Sequence, residues 1–285
     1  MLYPLLFEPI RKEMVWGYES WDISCRPGEM SIVENGPLAG KTFGEIIRQN
    51  PQAYIGTKVK EFPLLIKIIV ANDDLSIQVH PDDEYAASFG FESGKSEMWY
   101  VLETPGKLII GLKDDTTPEK LMADPMSCLN ELAVKPGDMI DIRAGLVHAI
   151  VGGTAVAEIQ QNSDVTFRLY DYGRKGFDGK PRELHIEHAI AVADFAGRIP
   201  KSVCESVATP FFSVTRLEVN GDVSESTRPE TFTIYTNVEG SCMVDSTALT
   251  YRRSVFLPAG LGSHIIKGKA VLLKTTLGVG YVRHL

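Results

Sequence analysis

Within Leu75-Ser76-Ile77-Gln78-Val79-His80-Pro81 a polar residue falls at every second place. Successive side chains of an extended chain point to opposite faces, so Ser76, Gln78 and His80 share one face and Leu75, Ile77 and Val79 the other. An amide and an imidazole projected in parallel suit a wet pocket or a metal ion, and Pro81 stops the strand just beyond the histidine. Two more candidate ligands follow. Glu97 opens the strand-like run Glu97-Met98-Trp99-Tyr100-Val101-Leu102, which can pair antiparallel to the first, and His148 closes Gly145-Leu146-Val147-His148. One amide oxygen, one carboxylate and two imidazoles suit a borderline divalent ion such as zinc, with water at the open position a catalytic site needs.

A lone strand histidine is ordinarily a satisfied polar residue, so the case rests on the set. Gly137, five residues, then Arg143-Ala144-Gly145-Leu146-Val147-His148 resembles the second cupin motif, with Arg143 in the proline position. The first cupin motif supplies two histidines and a glutamate; here Gln78 replaces the first histidine and the loop before Glu97 is longer.

The stretch from Glu158 to Arg174 is unusually polar between two strand-like segments. Glu158 and Gln160 share a face, as do Thr166, Arg168 and Tyr170. A cation beside a metal site can hold a sugar oxygen or phosphate, or stabilise an enediolate; alternatively Arg168 merely pairs with Glu158 or Asp171. His185 and His188 lie three apart on one face of a helix expected over 183–195 and read as a solvated surface. His264 and His284 have no ligand partners nearby, and Pro258-Ala259-Gly260 with His264 reads as a relic of the second motif.

These residues need strands to carry them. Residues 63–70 form a nearly continuous apolar run, the pattern of a strand buried on both faces, and Asn72-Asp73-Asp74 turns into the Gln78 strand. A polar loop is expected over 82–96, and strands at 97–102, 107–112 and within 134–157. Thr42 with Glu45 has capping-box spacing for a helix through about Arg48, stopped by Asn50-Pro51. Thr117-Pro118 starts another, interrupted at Asp124-Pro125. From about residue 205 only short alternating segments remain, a small all-β unit.

The composition is that of an ordinary globular protein: 285 residues, 44% hydrophobic, with 29 Lys+Arg against 37 Asp+Glu for a formal charge of -8. That balance disfavours a nucleic-acid or anionic-membrane partner. The longest apolar run, 62–71, is broken by Lys67 and falls short of the ~20 residues a bilayer needs. Glu8, Arg11, Lys12 and Glu13 interrupt the apolar start, so no signal peptide is expected. Cys25, Cys128, Cys204 and Cys242 have no metal or redox spacing and read as reduced thiols of a cytoplasmic protein.

Together, residues 75–83, Lys95-Ser96-Glu97-Met98-Trp99-Tyr100, Gly145-Leu146-Val147-His148-Ala149 and the run from Glu158-Ile159-Gln160-Gln161 through Arg168 resemble the type I, zinc-dependent mannose-6-phosphate isomerase (phosphomannose isomerase) family in its short bacterial form. The resemblance implies a mostly β fold of two cupin-like jelly-roll barrels with a few short helices: a catalytic domain over 1–200 and a smaller, metal-free one over 201–285. It implies Gln78, His80, Glu97 and His148 as ligands of one Zn2+ per chain, and Arg168 and Lys95 as active-site cations. Ser76, Glu158 and Arg174 match pocket positions, and Trp16 is a further substrate-binding candidate. Family members often carry histidine before the lysine and proline after it. Gly94 and Ser96 stand there, so a ring-opening role for that histidine does not carry over. The implied reaction interconverts mannose 6-phosphate and fructose 6-phosphate through a zinc-stabilised cis-enediol, with Glu158 or a zinc-bound hydroxide as base, in a monomer or homodimer. A metal-cupin sugar-phosphate sensor without turnover, or another metal-cupin isomerase or oxygenase, are the alternatives.

Overall fold

The computed structural model describes residues 2–56, 61–196, 199–200 and 205–278; Cys204 and His284 lie outside them. The fold is mostly β, and the longest α-helices among the described residues, Phe43–Gln49 and Ile186–Val192, have seven residues each. No helix among the described residues is long and apolar enough to cross a membrane. Contacts divide the chain into two units, Met1–Arg11 with Ser20–Ile68 and Cys204–Leu285, and Lys12–Glu19 with Ile69–Val203. Residues 1–200, expected as one domain, are thus shared between the two. The cause is long-range pairing: strand Leu5–Glu8 sits antiparallel against Ser254–Leu257, with Leu5 opposite Phe256, and against Ile32–Val33.

In the first unit, Ser206–Ala208, Phe212–Ser226, Ser263–Leu277, Thr233–Val244, Ser254–Leu257, Leu5–Glu8 and Ile32–Val33 follow one another in one sheet, and Thr247–Leu249 pairs off Thr233–Val244. Phe7, Phe43, Phe62, Phe232 and Phe256 pack ring against ring, with centroids 4.7 to 5.9 Å apart. Thr42 and Glu45 form the expected reciprocal cap. Asn50-Pro51 does not end helical structure but restarts it, because the Asn50 side chain accepts from Ala53 N (3.2 Å) and caps Pro51–Ile55. His264 is not without partners: its Nε2 meets the Tyr235 hydroxyl at 2.9 Å and its Nδ1 faces Gly262 O at 3.2 Å.

The second unit is built on two sheets. One runs Leu129–Ala133, Lys107–Leu112, His148–Ala149, Ile77–Val79, Phe167–Tyr170. The other runs Met139–Ile142, Glu97–Glu103, Thr154–Gln161 and continues through Leu64–Ala71, Gly17–Ile23 and Ile10–Met14, strands within which the division between units falls. The strand of Glu97 therefore pairs with 139–142 and 154–161, not with 77–79 as its pattern suggested. Residues of both sheets, among them Leu108, Ile110, Trp99, Val101, Ile140 and Val156, merge in one buried cluster. Each fully buried aliphatic side chain there contributes roughly 1.5–3 kcal/mol. On the opposite face of the 77–79 sheet, Ile77, Val79, Phe167 and Leu169 pack against Leu121 and Ala189. Those two residues come from Pro118–Ala123, which starts as expected at Thr117-Pro118, and from Ile186–Val192, the part of 183–195 that is helical. The expected polar loop over 82–96 holds a helix, Asp83–Ser88, capped by Asp82 accepting from Tyr85 N at 2.8 Å.

Candidate metal centre

Register brings the site together. Directly opposed residues of neighbouring strands project to the same face. His148 lies opposite Gln78, and Gln78 opposite Arg168, so one row across the first sheet carries three of the candidates. In the second sheet Glu97 lies opposite Gln160, and Trp99 opposite Glu158. Positions two apart share a face, so Glu97, Trp99, Glu158 and Gln160 form a single polar-edged patch.

The two sheets meet at a compact cluster. Single donor atoms of His80, Glu97 and His148, all buried, lie within 4.8 Å of one another. Glu97 approaches His80 Nε2 with one carboxylate oxygen and His148 Nε2 with the other, at 3.6 Å each. His80 Nδ1 sits 2.8 Å from Val165 O and His148 Nδ1 2.8 Å from Leu146 O. A carbonyl only accepts, so both imidazoles carry their proton on Nδ1 and turn the Nε2 lone pair inward. Burial pushes the His148 pKa down to about 4, with the nearby Lys95 acting in the same direction, which keeps the ring neutral. Gln78 presents its amide nitrogen to His148 Nε2 at 3.3 Å while its Oε1 accepts from Ser76 Oγ at 3.2 Å. Rotating that amide would turn its oxygen toward His148 Nε2. Two lone-pair nitrogens and a buried carboxylate converging on one point fit a divalent cation.

Lys95 is 5% exposed, with Nζ 2.7 Å from Glu97 Oε2 and 3.3 Å from His80 Nε2. The backbone delivers it: Lys95 N donates to Pro81 O, Gly94 N to Asp83 Oδ1 and Ser96 N to Gln161 Oε1. A Cβ on Gly94 would lie 2.4 Å from the Asp82 carbonyl carbon, so this loop has no room for a side chain at that position. Glu158 is 2% exposed and its Oε1 accepts from Trp99 Nε1 at 2.9 Å.

Arg168 is half-buried, and its guanidinium makes no salt bridge or hydrogen bond among the described residues, with Nε buried and unsatisfied. Asp171, the partner envisaged for it, is taken by Arg182 through two hydrogen bonds of 2.6 and 2.5 Å. Burial, together with the neighbouring Arg182, holds the Arg168 pKa below the usual arginine value. Arg174 is engaged elsewhere: Nη2 donates to Asp74 O at 2.6 Å, which fixes the turn leading into Ser76. Trp16, proposed as a substrate contact, is 4% exposed and belongs to the buried cluster with Trp99, and its carbonyl accepts from Asn72 and Asp73.

Several participants were missed. His188, read as solvated surface, is stacked on Phe167 at 4.9 Å and faces the Tyr85 hydroxyl at 3.0 Å. His185 accepts from Arg168 N at 3.2 Å, so the pair braces the Arg168 strand from behind. Gln160 donates to the carbonyls of Gln161 and Ser163, and its buried Oε1 has no partner among the described residues. Only the alternation Glu158-Ile159-Gln160 marked it in the sequence.

Against known proteins, the family model for the phosphomannose isomerase type I catalytic domain matches residues 10–104. Mannose-6-phosphate isomerase ManA of Bacillus subtilis is 33% identical over 307 residues, spanning 94% of this chain and 96% of that protein. A mannose-6-phosphate isomerase of Streptococcus mutans is 37% identical over 221 residues, 72% of this chain and 70% of that one. The crystal structure of a Bacillus subtilis mannose 6-phosphate isomerase superposes with a TM-score of 0.86 at 30% identity, over 95% of this chain and 99% of that one. Shared sequence and shared architecture over nearly the full length of both chains lead to one conclusion: this chain belongs to the type I mannose-6-phosphate isomerase family.

Proposed function

We propose that this chain interconverts mannose 6-phosphate and fructose 6-phosphate, with Gln78, His80, Glu97 and His148 holding one zinc ion per chain. The single observation that carries this reading is the placement of Arg168. A half-buried cation with no salt-bridge partner among the described residues stands in the same cross-strand row as Gln78 and His148, where a substrate on the cluster would meet it. When bound, zinc supplies Lewis-acid polarisation of the sugar's carbonyl and hydroxyl oxygens.

The chain's own groups do the rest. The isomerisation moves a proton between C1 and C2 through a cis-enediol, and negative charge builds on the oxygens of those carbons. Arg168 stabilises that charge in a site where little water competes. Glu158, aimed by the Trp99 indole, carries the proton from one carbon to the other. Lys95 compensates Glu97 and offers its remaining N–H donors to substrate hydroxyls. Ser76 sets the Gln78 amide, and Arg174 acts through the turn it fixes. Free Cys25, Cys128 and Cys242 suit the reducing cytoplasm.

Two imidazoles and one carboxylate also recur in Fe(II) oxygenases, and a passive sugar-phosphate sensor would bind without turnover. A coupled assay for fructose 6-phosphate on the purified protein separates the three. Conversion without oxygen uptake supports the isomerase, whereas binding of mannose 6-phosphate without conversion rejects it.

A further inference from the structure

The unit that lacks the metal cluster has a cleft of its own, about 820 Å³ in volume. Its walls come from the N-terminal segment, the loop after strand Ile32–Val33 and the strand Thr247–Leu249. The loop wall is tied by hydrogen bonds. The Tyr3 hydroxyl donates to Asn35 O and accepts from Leu38 N, both at 2.9 Å, and Asn35 Oδ1 accepts from Leu6 N at 2.9 Å. Gly36 packs so closely on Tyr3 that a Cβ there would lie 2.6 Å from the ring.

Inside the cleft stands a side-by-side ion pair, Arg253 Nη2 to Glu34 Oε2 at 2.8 Å, each side chain about one-third exposed or less at 27% and 31%. The same nitrogen donates to Phe7 O at 2.7 Å, which leaves Arg253 Nε and Nη1 and the second Glu34 oxygen unengaged among the described residues. Tyr54 and Thr247, also in the lining, add two hydroxyls. Leu6, Pro37 and Ala248 supply apolar surface beside them. Pre-formed walls, mostly apolar lining and a few converging polar groups are the usual make-up of a small-molecule site.

Charge and hydrogen-bond character select the ligand class. Arg253 and Glu34 compensate each other, and buried Asp22 is a second acid within the electrostatic reach of Arg253, so a phosphate dianion would be brought against the Glu34 carboxylate. A purely apolar ligand would strip water from both ions and replace none of its hydrogen bonds. Adjacent hydroxyls satisfy both at once, one accepting from the guanidinium while its neighbour donates to the carboxylate. Sugar C–H faces then pack on the tyrosine rings and the apolar wall. We propose that this cleft is a second, non-catalytic site for a neutral pyranose.

The test uses the full chain and methyl α-mannopyranoside, which has no phosphate and whose locked ring cannot be isomerised. Titration followed by ligand-observed NMR should give saturable binding with a Kd on the order of 1 mM. Ala248→Trp, at an exposed position whose new ring would fill the cleft, should weaken binding by about tenfold or more. Tyr54→Phe, which removes only a hydroxyl, should weaken it by a smaller factor. Both variants should keep the wild-type melting temperature and the wild-type turnover of mannose 6-phosphate. Absence of saturable binding would overturn the proposal. So would glycoside binding unchanged in Ala248→Trp, or binding abolished by a metal chelator, which would place the ligand on the metal cluster.

Discussion

Replacing Arg168 by alanine should separate function from stability. A unit charge about 4 Å from a developing enediolate, at an effective dielectric near 20, is worth about 4 kcal/mol. Loss of one pre-organised donor to such a charge ordinarily lowers kcat by about 10²–10³-fold. The structural side of the ledger points the other way. The guanidinium has no salt bridge or hydrogen bond among the described residues, and burial disfavours its charged form in the folded chain. Its backbone pairing with His185, Arg168 O accepting at 2.8 Å, does not depend on the side chain. Arg168→Ala should therefore lose about 10²–10³ in kcat while its melting temperature stays level or rises and its zinc content is unchanged. The checks are a coupled isomerase assay, thermal unfolding and elemental analysis on the same preparation. Turnover within a few-fold of wild type would refute the reasoning; so would a joint loss of metal, melting temperature and turnover, since that would mark Arg168 as structural.

Four further variants have expected outcomes. His80→Ala removes a buried ligand nitrogen and should abolish zinc retention after dialysis, whereas Ser76→Ala only frees the Gln78 amide and should weaken zinc affinity by about 10–100-fold in a competition titration. Lys95→Met should retain zinc, because it takes away a cation that competes for Glu97, yet lose most turnover. Asp22 supplies a pH signature in the other unit: burial raises its carboxyl from 3.8 to about 7, against the opposing pull of Arg253. A raised folded-state pKa means the folded chain holds a proton that the unfolded chain has released, so this group's contribution to stability declines as pH rises from about 4 to about 7. Asp22→Asn should show that decline removed, with a melting temperature above wild type at pH 7 and a shrinking difference toward pH 4.

What the sequence disclosed was local, and what it hid was pairing at long range. Alternation from Leu75 to His80 reads the same way in the chain and in the fold, as do the caps at Thr42 and Thr117. Glu97 was recognisable as a ligand type, but nothing near it says that its strand lies between 139–142 and 154–161. The division into units was hidden for the same reason, since the partner of Leu5 is Phe256. Helix Asp83–Ser88 was concealed by its polarity, although Asp82 was a serviceable cap. His185 and His188 looked solvated because helical spacing reports a shared face but not what covers it; Phe167 and Tyr85 cover His188. Trp16 could not be assigned to core or pocket by residue type, and burial decided it.

The proposed isomerisation of mannose 6-phosphate requires a divalent ion at His80, Glu97, His148 and Gln78. The most direct measurement is turnover of mannose 6-phosphate by the purified chain before chelation, after it, and after stoichiometric zinc is returned. Activity should disappear with the metal and return with about one zinc per chain if that requirement holds. Full activity in the metal-free protein, or none after zinc has been bound again, would contradict it.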